Sequence, residues 1–337
     1  MYSESDIDAA VTAGAISAQA AGALRAFVAS TRAAPTADEE PFRLLTGFND
    51  IFVAIAALLL LAAVGRLAGI AGLAGSGLAV AALSWGLAEF FTRRRRMALP
   101  SIVLLLTFAA GVAAAVAGAA GPALRGAPSG FVWTAAIAGG VTAGAVYLHW
   151  RRFRVPVTVA IGAVAAGAAI LALAAGAVPG VRQHPMPLLF VLGALIFALA
   201  LGWDASDRAR TTRRSDVAFW LHLAAAPLLV HPLFAMLGLM QGGASLGGAA
   251  SVIGIYAVLT VVALLIDRRA LLVSALIYVL YAMVTVLRTV GGVDAVLALA
   301  GLAIGALLVL LSAFWHAARR LVVAALPAAL AARLPPV

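Results

Sequence analysis

From residue 49 onward the chain is a succession of apolar runs of about 20 residues, separated only by short polar breaks. A helix rises about 1.5 Å per residue and the hydrocarbon of a bilayer is about 30 Å thick, so each run is long enough to cross. Several such runs in one chain narrow the fold sharply. Lipid offers no partner to a bare backbone, which leaves helices or closed barrels. Barrel strands alternate in polarity over about 10 residues, whereas these runs are continuous. Composition agrees: 64% of the 337 residues are hydrophobic and 11% are charged, with mean hydropathy +1.09. A soluble domain is about 45–50% apolar and about 25% charged. The expected fold class is therefore all-α, a polytopic membrane bundle.

The runs predict ten transmembrane helices, over approximately 49–65, 67–92, 98–120, 131–150, 155–178, 187–203, 216–240, 249–266, 270–288 and 293–315. The division at Gly65–Arg66 is very short, and a re-entrant or broken pair is the alternative there. Arginines set the orientation. Arg93–Arg96, Arg151 with Arg152 and Arg154, Arg208 to Arg214, Arg268 with Arg269, and Arg319 with Arg320 all fall on one side of a ten-helix bundle. Only Arg66, Arg125, Arg182 and Arg288 mark the other side. The positive-inside bias then places both termini in the cytoplasm. The basic clusters recur at the period of a helical hairpin. The formal net charge of +10 thus reads as topology signal and attraction to anionic headgroups of the lipid bilayer, not to nucleic acid. Every basic residue other than histidine is arginine, which with the alanine excess points to a high-GC bacterium and its cytoplasmic (inner) membrane. The chain has no cysteine, so disulfides, thiolate metal sites and cysteine nucleophiles are excluded.

Residues 1–48 read as a small cytoplasmic helical cap and linker. Ser5 is placed to cap a helix over Asp6–Ala13, Gly14 suits the position past its end, and Ser17 is placed to cap a second helix to about Ala29. The acidic, proline-bearing stretch Thr31–Pro41 reads as linker. Residues 49–320 form the expected bundle, and 321–337 read as an interfacial cytoplasmic tail.

Ionisable groups at depth in a membrane are the default functional candidates. Ser215–Gly238 is the unusual helix: His222, Pro227, His231 and Pro232 interrupt an apolar run. A proline removes one backbone donor and crowds the preceding turn, so the stretch reads either as a broken helix, the kind from which transporters build sites, or as a proline-kinked packing helix whose histidine bonds a neighbouring carbonyl. His231 lies beyond its middle. His222 lies near the cytoplasmic end, half a turn out of phase with His231, and reads as interfacial or packing. Ser274, Tyr278, Tyr281, Thr285 and Arg288 share one face of helix 270–288, which reads as interhelical hydrogen bonding or as the wall of a polar pathway. Ser251, Tyr256 and Thr260 add polar groups on helix 249–266, and Arg288 with Asp294 reads as a pair at the outer mouth. Glu89 is spaced for an i,i+4 pair with Arg93, with a proton-linked role in the pathway as the alternative. Asp204, Asp207, Asp216 and Asp267 read as loop charge balance. His149 and His316 read as interfacial. No phosphate loop, nucleophile elbow, zinc motif or paired acids point to an enzyme or a metal. Haem would need two deep histidines, and only His231 is deep.

The stretch Gly14-Ala15-Ile16-Ser17-Ala18-Gln19-Ala20-Ala21, followed by Leu24, resembles an uncharacterised family of bacterial polytopic membrane proteins with a short N-terminal helix-turn-helix. Gly47-Phe48-Asn49-Asp50-Ile51 and Ser215-Asp216-Val217-Ala218-Phe219-Trp220-Leu221-His222 carry the same resemblance. It implies a fold type and a bacterial inner membrane, and no substrate, cofactor or site residue. The expected function is transport or permeation of a small solute or ion between helices 216–240 and 270–288. The alternatives are a membrane scaffold or sensor that binds a protein partner through residues 1–48, and a redox or lipid-handling enzyme.

Overall fold

A computed structural model describes residues 4–33, 48–127, 129–210, 212–239, 246–269, 309–331 and 334–335, with scattered residues in 271–280 and 301–306. The described residues are helical throughout, and the chain divides into two units, Met1–Phe42 and Arg43–Val337.

The first unit is a helical pair, α1 (Glu4–Thr12) and α2 (Ala18–Ala33). Gly14 turns the chain at φ +71. The Ser17 hydroxyl accepts from the Ala20 amide at 3.0 Å, the cap expected from the sequence. Arg25 donates to Asp8 at 2.7 Å and ties the two helices together.

In the second unit, α3 (Phe48–Ala68), α4 (Gly72–Ala88), α5 (Ala98–Leu124), α6 (Gly130–Phe153), α7 (Val157–Ala177), α8 (Pro185–Ala205), α9 (Arg213–Met236) and α10 (Leu246–Ile266) follow in order. Two short helices, α11 (Trp315–Ala324) and α12 (Ala328–Ala331), come last. Among the described residues six stretches are long and apolar enough to cross a membrane. The first, Phe48–Arg94, has 47 residues, about 70 Å of helix and more than twice a bilayer's hydrocarbon. It doubles back at Gly69–Gly72, where Gly72 has φ +78. The Ser76 hydroxyl then donates to the Gly65 carbonyl at 2.8 Å, eleven residues back. The turn falls four residues beyond the expected division. The expected spans 270–288 and 293–315 lie mostly outside the described residues.

Small residues set the closest helix contacts, because without a hydrophobic drive in lipid the backbones associate by tight packing. Gly77 of α4 and Gly111 of α5 face each other. A Cβ on Gly111 would stand 2.8 Å from both the Ala81 nitrogen and the Gly77 oxygen. Bulkier Leu61, Ala88 and Leu104 fill the layer joining α3 to this pair.

The arginine-bearing turns gather at one end of the bundle. Arg152 pairs with Glu89, Val155 and Val157 pack with Leu105 and Trp220, and Arg210 pairs with Asp267. At the opposite end Arg182 donates to the Ser129 hydroxyl. Four turns at the basic end hold a non-glycine residue in the left-handed region: Arg96, Arg154, Arg210 and Asp267, with φ of 53 to 56. They are 58, 56 and 57 residues apart, so the hairpin period seen in the basic clusters is also a backbone period. Left-handed geometry past a helix end lets the next amides reach back to orphan carbonyls. Met97 bonds Phe91 O at 3.0 Å and Arg268 bonds Ala263 O at 2.9 Å.

The most enclosed span is α9. Half of its apolar window is buried, against 17–28% for the other five. It packs against α8 and α7 through Val217, Leu221, Ala225, Ile196 and Ala160. It meets α10 through Ala226, Ala263, Val230 and Val252.

Candidate functional site

Of the two readings of α9 the structure has the unbroken helix: Arg213–Met236 is one helix with Pro227 and Pro232 inside it. The reason lies on α8. Pro232 has no amide to offer the carbonyl of Leu228, and at that carbonyl Gly193 brings α8 against the α9 backbone. A Cβ on Gly193 would lie 2.7 Å from Leu228 C, 2.8 Å from its O and 2.9 Å from Leu229 N. The α8 and α9 backbones are therefore in close contact at the carbonyl that Pro232 leaves without its helical donor.

At the basic end of α9 lies a buried charged cluster. His222, fully buried, donates from Nε2 to Asp204 Oδ2 at 2.8 Å. Arg268, 2% exposed, donates through Nη2 to Asp204 Oδ1 at 2.5 Å and to the carbonyl and hydroxyl of Ser215 at 3.1 Å. Asp204 is 7% exposed. One carboxylate thus joins α8, α9 and the turn after α10. Charge assistance makes such bonds strong. Phe197 meets the His222 ring edge-on with centroids 5.1 Å apart. The other ring nitrogen, Nδ1, is buried with no hydrogen-bond partner among the described residues.

A second cluster adjoins it around Asp267. Arg210 donates to Asp267 Oδ2 at 2.7 Å and the Trp315 indole donates to Oδ1 at 2.7 Å. Arg319 lies 3.8 Å away and donates to the carbonyls of Leu264 and Pro335. Arg208 holds the carbonyl of Leu334 at 2.7 Å. Burial pushes the Asp267 carboxyl up, but the indole bond and the charges of Arg210 and Arg319 outweigh it and hold the acid below its ordinary value. Burial lowers the Arg319 guanidinium in turn.

These contacts correct two expectations. His222 is a member of a buried ion cluster, not an interfacial or packing residue, and Asp204 and Asp267 are structural centres, not loop charge balance. The missed signal was positional. Asp204 stands in the last turn of α8, where the helix dipole disfavours an acid, so a cationic partner was required.

His231 is half-buried on α9, about 13 Å along the axis from His222, and on another side, as the nine-residue spacing implied. Tyr256 packs with Ala226, Val230 and Phe234 of α9. Its hydroxyl is buried without a hydrogen-bond partner among the described residues. Ser274, Tyr278, Tyr281, Thr285, Arg288 and Asp294 lie outside the described residues.

Glu89 makes the expected pair with Arg93 at 3.4 Å, but its shorter bonds go to Arg152, at 2.7 and 3.0 Å. This is an exposed clasp between the α4 and α6 ends. His149 is a further correction. It is fully buried, not interfacial, among the rings of Trp85, Phe108 and Phe153. Among the described residues no three His, Cys, Asp or Glu gather closely enough to hold a metal ion.

The structure and the apolar spans make this a helical membrane protein. No family model, no curated protein and no solved structure matches the chain, so the expected family resemblance gains no support beyond that architecture.

Proposed function

We propose that the protein carries or admits a small solute or ion across a bacterial cytoplasmic membrane, with both termini inside. On this reading α9, with its neighbours α8 and α10, is the working part, and Asp204, His222 and Arg268 hold its cytoplasmic end. The observation that supports it is the buried cluster itself. Burying charges costs several kcal/mol per ion, and well-packed apolar side chains serve stability as well or better. The ionised pair Asp204 and Arg268, buried against the most enclosed helix of a membrane bundle, is expensive for structure alone and suited to a step in which charges exchange partners. His222 has the further property of a ring nitrogen with no hydrogen-bond partner among the described residues, and imidazole is the side chain that most readily takes up and releases a proton. Tyr256 on the α10 side of α9 and His231 further along α9 are the next polar groups on this reading, with Ser274, Tyr278, Tyr281 and Thr285 as the continuation expected from sequence.

The test is a concentration-jump recording from vesicles holding the purified chain on a solid-supported membrane, with protons, sodium, potassium, amino acids and organic anions in turn, and a pH dye inside parallel vesicles. At least one class should give a signal that His222→Gln and His231→Ala each reduce. No current and no pH change with any class would overturn the proposal.

A second reading, a partner-binding cap, is favoured by the separate unit Met1–Phe42, which presents Leu24 and Phe27 exposed on α2. If removing residues 1–42 abolishes cellular function while His222→Gln leaves it whole, that reading takes precedence.

A further inference from the structure

Where Phe48–Arg94 doubles back, α3 and α4 do not close on each other along their length. They leave a groove of about 780 Å³, open on one side, with α5 as its floor. Leu58, Leu61 and Ala62 of α3 and Leu73 and Val80 of α4 form its walls. From Leu58 to Gly69 it runs about 16 Å along α3, close to the roughly 15 Å of one leaflet's hydrocarbon.

Its polar groups are arranged at one end. The hydroxyl of Thr107, at the deep end, is engaged by Val103 O, Leu104 O and Ser84. The hydroxyl of Ser76 is engaged by Gly65 O. Neither offers a solute a free group at depth. Arg66 lines the groove one turn before the chain reverses, and a reversal between two spans of this length falls at a membrane surface. It is exposed and makes no hydrogen bond or ion pair with a described residue. A cation at the surface, an apolar channel one leaflet deep and no unmet polar group below it match an anionic amphiphile with one tail.

We propose that this groove holds one anionic phospholipid, its phosphate on Arg66 and one acyl chain between α3 and α4. The guanidinium presents a planar fork of donors matched to phosphate oxygens, and a basic side chain near the membrane surface favours an anionic lipid. The site is separate from the α8–α10 clusters and does not depend on what they do.

The test is native mass spectrometry of the full chain, delipidated in mild detergent and reloaded with phosphatidylglycerol or phosphatidylcholine. The wild type should retain one phosphatidylglycerol under conditions that strip phosphatidylcholine. Arg66→Gln should lower that retention about fivefold, the equivalent of one basic residue at the surface. Gly69→Phe fills the groove. A Cβ there meets nothing within 4 Å, so it should abolish retention with little change in thermal unfolding. Ala62→Phe, from an exposed position on the same wall, is the second filling variant should Gly69→Phe fail to fold. Equal retention of the two lipids by the wild type, or no effect of Arg66→Gln, would overturn the proposal. So would displacement of the lipid by millimolar inorganic phosphate, which would mark a free-anion site. A dimer that both filling variants convert to monomer would overturn it in favour of a second copy of the chain.

Discussion

Replacing Asp204 with alanine should be among the most damaging single changes in the membrane unit. The wild-type carboxylate accepts from His222 at 2.8 Å and from Arg268 at 2.5 Å. Both donors are buried, at 0% and 2% exposure. After the change Arg268 keeps the Ser215 oxygens and the charge of Asp216 nearby, but its buried guanidinium loses the carboxylate it bonds directly. Removing one partner of such a pair costs about 3–5 kcal/mol. At about 2–4 °C per kcal/mol, the scale for chains of 150–250 residues, that is a fall of roughly 6 °C or more in the unfolding midpoint. The six tryptophans provide the fluorescence signal for thermal unfolding in nanodiscs. The cost comes from the stranded guanidinium, so Asp204→Ala with Arg268→Met should recover much of the loss. A midpoint within 2 °C of wild type for Asp204→Ala refutes the reasoning. So does a double variant that loses the sum of the two single losses.

Glu89→Gln is the contrasting case, because the pair with Arg152 is exposed: the loss should be far smaller than for Asp204→Ala and should vanish at high salt in the same assay. Gly193→Ala should destabilise by about 1–3 kcal/mol, since the new methyl collides with the Leu228 backbone, and should do so without altering surface charge. A cyclic comparison with Pro232→Ala should show the two changes coupled, because both act on the Leu228 carbonyl. Asp267 gives a pH signature. Its folded pKa lies below the ordinary 3.8, so its stabilisation is present above that value and is lost as pH falls through it towards the folded pKa. Unfolding midpoints between pH 3 and 6 should therefore drop steeply at the acid end in the wild type and less so in Asp267→Asn.

What the sequence made legible follows the strength of the physical signal. The apolar runs located α3 to α10 because burial in lipid leaves little choice of structure over about 20 residues. Ser17 and Gly14 were legible because caps and left-handed turns act over three or four residues. The Gly65–Arg66 division was placed early because α3 stays apolar to Ala68, and only the left-handed Gly72 marks the reversal. The cluster at Asp204 was missed because its other two members, His222 and Arg268, lie 18 and 64 residues from the aspartate. Their pairing depends on which hairpins adjoin, which local spacing does not encode. Pro227 and Pro232 left two readings open for a related reason. A proline removes one hydrogen bond in isolation, but whether the helix breaks depends on the neighbour, here Gly193 of α8. His149 was read as interfacial from the arginines beside it, whereas its burial is decided by Trp85 and Phe108 on two other helices.

The most direct test asks whether the buried cluster serves function and not stability. The triple variant Asp204→Leu, His222→Leu, Arg268→Met removes every charge of the cluster while keeping side-chain volume, so no ion is left stranded. Its unfolding midpoint should match or exceed the wild type, and its vesicle currents and pH signals should be lost across all solute classes. A triple variant that conducts or transports as the wild type does would contradict the proposal that charge exchange at Asp204, His222 and Arg268 is part of how this protein works.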